Sequence, residues 1–145
     1  MKKSAVAAAT IIGVSALTGA TVLPGSAASD SAVHTKKLVL REIASHQLTE
    51  SQFTGSDQIR SARTHAVVGF HAFTGRYYPA KATAVLQGAL ALKGGILLGR
   101  VPVPDGATTF EGRITGGSGK YAGAEGTITG HFGEAATYVT LHYRY

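Results

Sequence analysis

Between Thr115 and Gly126 the chain reads Thr-Gly-Gly-Ser-Gly-Lys-Tyr-Ala-Gly-Ala-Glu-Gly. Glycine enters positive φ without a steric penalty, so a cluster of this kind lets a chain reverse tightly and re-enter a sheet. The flanking segments, Thr108 to Thr115 and Gly126 to Phe132, have the Thr, Ile and Phe content of strands. Two strands joined by a glycine-rich reversal point to antiparallel β architecture. Phosphate-cradle readings fail on the same residues. Tyr121 stands where a Walker motif needs Ser or Thr, and Ile114 where it needs Gly. The loose Gly117-x-Gly119-x-x-Ala122 pattern leads into a strand, whereas a dinucleotide fingerprint opens a helix.

The rest of the chain extends the β pattern. Lys37 to Ala44 alternates, with Leu38, Leu40, Glu42 and Ala44 on one face and Val39, Arg41 and Ile43 on the other. Ser45 to Arg63 is polar and contains Gly55-Ser56-Asp57, so it reads as a long loop with one short strand near Gln58 to Ser61. Thr64 to Phe73, Pro79 to Leu92 and Ile96 to Val101 read as strands, with Lys93-Gly94-Gly95 as a hairpin turn. Pro102 to Gly106 reads as a rigid loop ending in an Asp-Gly turn. Ala136 to Tyr145 completes the sheet. Seven or eight strands in about a hundred residues fit a small closed barrel, which has no edges to guard. Glycines inside the strands suit the sharp coiling of such a barrel better than a two-sheet sandwich, the other architecture the pattern allows.

The beginning of the chain is of another kind. Met1-Lys2-Lys3 is followed by an uncharged, mostly apolar stretch to Leu23 and then by Pro24-Gly25-Ser26-Ala27-Ala28. This is the layout of a secretory signal peptide over residues 1–28, with the cut expected after Ala28 or else after Ala27, and an uncleaved membrane anchor is the other reading of so long an apolar stretch. Residues 29–35 read as a flexible arm and 36–145 as the barrel domain. The protein is therefore expected to be secreted, with no membrane span after processing. There are no cysteines, which excludes disulfides, thiolate metal sites and a cysteine nucleophile. Export without disulfides suits a bacterial cell. The formal charge is +6, and without Lys2 and Lys3 it is +4, with 12 basic residues against 8 acidic. The basic residues are spread singly apart from Lys36-Lys37, so no nucleic-acid-binding stripe is expected.

From Leu92 to Tyr143 the chain resembles the allene oxide cyclase/dirigent superfamily of β-barrels. The residues that carry the resemblance are Lys93-Gly94-Gly95-Ile96 and Gly112-Arg113-Ile114-Thr115 running on through the glycine cluster to Gly126. The resemblance implies an eight-stranded antiparallel barrel with an apolar interior, often trimeric, that works without a metal or organic cofactor. Its activities are closing an unstable epoxide into a ring or steering the coupling of phenoxy radicals. Glu42-Ile43 is similar to the Glu-Ile-Asn of the cyclases, with Ala44 in place of the Asn. The cyclases' pocket cysteine is missing, and Asp30, Asp57 and Asp105 all read as arm or loop residues, unlike the pocket aspartates of dirigent proteins.

Function is accordingly expected to rest on a cavity that receives a hydrophobic or aromatic small molecule and steers its cyclisation or coupling, a cofactor-free isomerase-type role. The other class open to such a barrel is a non-enzymatic extracellular binding or structural module. Glu42 is the candidate catalytic group, because a carboxylate on an apolar face can act as general acid or base. On an exposed edge it would be an ordinary solvated glutamate. Arg41 and Tyr138 are the candidate ligand-binding residues, Tyr138 sharing a face with His142 and Arg144. The six histidines do not form a metal motif. His65 and His71 lie about 20 Å apart along one strand, and His131 and His142 alone could meet across the last hairpin, where a site needs three or four ligands. No Ser-His-acid arrangement can be assembled around Ser118.

Overall fold

The computed structural model describes residues 32–145. The expected leader and its cut after Ala28 lie outside the described residues. Eight strands follow in order: β1 His34–Thr49, β2 Gln52–Ser61, β3 Val67–Tyr78, β4 Thr83–Leu92, β5 Gly95–Pro104, β6 Thr109–Gly119, β7 Glu125–Phe132 and β8 Thr137–Arg144. Each pairs antiparallel with the next, and β8 pairs back onto β1 from Thr137↔Leu40 to Tyr143↔His34. The single sheet is closed, so the barrel expectation holds and the sandwich falls.

The strands differ from the sequence reading where polar residues face inward. The segment expected to be a loop after Ala44 is the end of β1, a tight turn and the whole of β2. Gly55 is not a turn residue. A Cβ there would come within 2.5 Å of the Phe73 ring, so glycine makes room for an aromatic inside the barrel. A bulge between Glu42 and Ala44 breaks the alternation in β1 and turns Ser45 to the same side as Glu42. Strand β3 starts at Val67 rather than Thr64 and continues past Gly75 to Tyr78, while His65 sits in the preceding turn with φ 59°. Pro79–Lys81 forms a 3₁₀ turn before β4, consistent with a proline that cannot donate to a ladder. Pro102 and Pro104 extend β5 instead of ending it. Pairing with β6 stops at Arg100↔Arg113, so nothing on that side requires their missing N–H groups.

The glycine cluster closes β6 and leads through a turn into β7. Gly119 has φ +62° and lies against the Gly94 carbonyl, which also accepts a hydrogen bond from the Lys120 N–H at 2.8 Å. The turn thereby folds Tyr121 into the barrel's end, where it is 1 % exposed and meets Tyr143 edge-on at 5.9 Å. Ile59, Leu97, Ile114 and Leu141 fill the space beneath it. Full burial of such a side chain contributes about 1.5–3 kcal/mol. This end of the barrel is solid, and the opposite end is not.

Candidate functional site

A cavity of about 510 Å³ occupies the other half of the barrel and opens beside the β7–β8 turn, Gly133 to Ala136. Its walls are mostly apolar: Leu86 and Leu90 of β4, Val101 of β5, Ile128 of β7 and Val139 of β8. These residues face inward because strand alternation sends every second side chain to the interior. Phe73, Phe110 and Phe132 add aromatic surface, with Phe110 and Phe132 packed together at 4.9 Å. The volume suits a small organic molecule. Outside the lining, the Tyr77 hydroxyl donates to Asp105 Oδ2 at 2.6 Å and ties β3 to the β5–β6 loop. That hydrogen bond raises the pKa of the Tyr77 phenol.

Ionisable side chains enter this interior at four places. Glu42 of β1 lines the mouth and accepts a hydrogen bond from Ser45 Oγ at 3.1 Å. Glu134 reaches it from the β7–β8 turn. Asp57 of β2 stands directly opposite Glu42 in the ladder on one side and opposite His71 of β3 on the other. Asp57 Oδ2 and His71 Nδ1 are 2.7 Å apart, with side chains only 12 % and 15 % exposed. The His71 ring stacks on Phe73 at 5.3 Å and lies over Gly88, where a Cβ would collide with Nε2. Glycine at 88 is thus what allows the imidazole to lie flat along the wall.

The pair has a defined chemistry. An ionised carboxylate only accepts, so Nδ1 carries a proton and, in the neutral ring, Nε2 is left as an acceptor. Nε2 has no hydrogen-bond partner among the described residues, yet no side-chain nitrogen or oxygen there is both buried and unsatisfied. Nε2 therefore keeps contact with the open cavity. A carboxylate that fixes the ring and its tautomer, with the second nitrogen free toward a ligand, is the arrangement a proton-transferring histidine requires.

The sequence-derived site residues separate. Glu42 lies on the cavity. Arg41 and Tyr138 are exposed and do not line it, and Tyr138 stacks on His131 at 4.8 Å. Asp57, read as a loop residue, is instead an inward-facing strand residue, and neither it nor His71 was singled out from the sequence as part of the site. Their signal was present but faint. Phe53, Gly55, Asp57 and Ile59 alternate with the polar Thr54, Ser56 and Gln58, whereas His71 and Phe73 are separated by apolar Ala72 and carry only the shared parity. The histidines do not converge: His65 is in a turn, His142 pairs with Thr35, and His131 faces Tyr138. Among the described residues no three His, Asp or Glu are grouped as a metal site.

A closed eight-stranded antiparallel barrel with a half-open interior defines the class of this molecule. Solved structures with the same fold include pyocyanin demethylase, at 20 % identity and TM-score 0.64 over 76 % of this chain and 99 % of that one. The exo-specific intermolecular Diels-Alderase AbnU matches at 11 % identity and TM-score 0.63, over 77 % of this chain and 96 % of its own. The Diels-Alderase AbmU from Streptomyces koyangensis matches at 16 % identity and TM-score 0.59, over 81 % and 70 %. No protein-family model matches the chain, and no curated relative matches it. The likeness establishes the eight-stranded barrel and leaves the allene oxide cyclase and dirigent kinship as a proposal.

Proposed function

We propose that this protein is a secreted barrel that takes an apolar or aromatic small molecule into its interior and steers its cyclisation or a related rearrangement, in the manner of allene oxide cyclase- and dirigent-like proteins. The observation that carries the reading is the cavity itself. One end of the barrel is packed by its own side chains, and the other keeps about 510 Å³ enclosed by apolar walls with a few convergent polar groups. A rigid pocket of this kind selects one folded conformer of a flexible substrate and so removes much of the entropic barrier to ring closure. His71, held by Asp57, and Glu42 at the mouth are placed to accept and return a proton during such a step. The small-molecule chemistry named for the structural neighbours supports this reading. The basic start and apolar stretch of residues 1–28 support export.

Filling the cavity tests it. Val101→Trp places an indole in the interior from a wall position. Its binding of an uncharged apolar probe such as 2-naphthalenemethanol should weaken at least about tenfold against the unmodified protein, equivalent to about 1.4 kcal/mol. Equal affinity in a variant of unchanged circular dichroism would place the probe elsewhere and remove the cavity from the function.

A further inference from the structure

The ionisable groups lining the cavity are mostly acids. Glu42, Asp57 and Glu134 are carboxylic acids, and the only base among the lining residues is His71, which Asp57 already holds. Among the described residues no lysine or arginine lines it, although those residues include 12 of the chain's 14. Arg41, next to Glu42 in sequence, is exposed and falls on the opposite face of β1 by strand alternation. Five other cations, Lys36, Lys37, Arg63, Lys93 and Lys120, are collected around a depression at the packed end. Among the described residues this apolar cavity is thus lined by carboxylates and by no guanidinium or ammonium, although the protein as a whole is basic.

We propose that the cavity selects aromatic ligands that carry a positive charge, as a protonated amine or a heteroaromatic cation, and rejects carboxylate- or phosphate-bearing ones. This rests on the reading of the cavity as the ligand site and adds the class of ligand. Two effects act in the same direction. Carboxylates beside low-dielectric walls focus a negative potential into the opening, which attracts cations and repels anions. Phe73, Phe110 and Phe132 line the same space, and an aromatic ring met face-on by a cation presents the negative side of its quadrupole. An anionic ligand would meet neither a guanidinium nor an ammonium along the lining. Only a protonated His71 could answer it, and Asp57 already shares that charge at 2.7 Å.

Three naphthalene probes of nearly equal size separate the terms: 2-(aminomethyl)naphthalene as cation, 2-naphthalenemethanol as neutral compound and 2-naphthoate as anion. Calorimetric titration of the full chain at neutral pH and low salt should rank them in that order, with at least about tenfold between cation and anion. Added salt should shrink the ratio, because both mouth carboxylates are reached by solvent. In the Glu42→Gln/Glu134→Gln double variant the cation-to-anion ratio should fall several-fold, with the neutral probe as internal reference. Equal affinities for the three, or preference for naphthoate, would overturn the charge selection while binding of the neutral probe kept the cavity reading. Binding of none of them would overturn both.

Discussion

Tyr143 shows how a single side chain reports the difference between the barrel's two ends. It is 4 % exposed, faces Tyr121 and Tyr145, and its phenol is pushed up to about 12, first by burial and then by those two neighbouring phenols. In the unfolded chain a tyrosine ionises near 10. Between these values the folded state keeps a proton that the unfolded state has lost, so stability falls as pH rises through that window. Denaturant unfolding should show this alkaline loss between about pH 10 and 12, and Tyr143→Phe should flatten it. An unchanged slope in the variant would mean that another group supplies the loss. At the cavity end the telling residues were harder to read. Glu42 stood out because Leu38 and Leu40 flank it on one strand face. Asp57 was hidden by its neighbours, since Gly-Ser-Asp is ordinary turn chemistry until Phe73, from another strand, is known to occupy the space above Gly55.

Elements were legible where local rules and tertiary needs agreed. The alternation of β4, the Lys93–Gly94 turn and the glycine-rich β6–β7 reversal all came directly from residue pattern. Strand β2 did not, because in a barrel wall a strand needs an inward side that fits the interior and not necessarily an apolar one. The β6–β7 turn allows a direct test of its two constraints. Gly119→Ala must hold a left-handed backbone, which costs about 1–2 kcal/mol, and must also push against the Gly94 carbonyl. Gly106→Ala faces a similar φ of +73° with nothing within 4 Å of the added carbon. Thermal unfolding should therefore show Gly119→Ala as clearly the more destabilised of the two. Equal losses would mean that the close approach at Gly94 relaxes freely.

For the whole molecule, closure is the property that matters most. The β1–β8 seam joins strands from opposite ends of the described chain, and Leu38↔Val139 within it are both buried. Each described strand is paired on both sides over at least part of its length, so no whole strand is left as a free edge and opening should be global. Native-state hydrogen exchange is expected to give hydrogen-bonded amides along this seam the same opening free energy as those around Ile59. Much weaker protection at the seam would show a barrel that unzips between its first and last strands. Closure also sorts charge in a way no linear reading displays. Lys36 and Lys37 are adjacent in sequence, but Arg63, Lys93 and Lys120 join them only because three separate turns meet at the packed end.

The residue pattern alone determined that this chain forms antiparallel strands with tight glycine turns, that they are numerous enough to close, and that Glu42 shares a strand face with Leu38 and Leu40. Those conclusions depend on φ, on alternation and on side-chain polarity, all local properties. The tertiary structure decided that half the barrel is filled and half empty, that Asp57 meets His71, and that Arg41 and Tyr138 stay outside the cavity. Such outcomes depend on register and on which side chains from distant strands compete for the same volume, and neighbours along the chain carry little information about either.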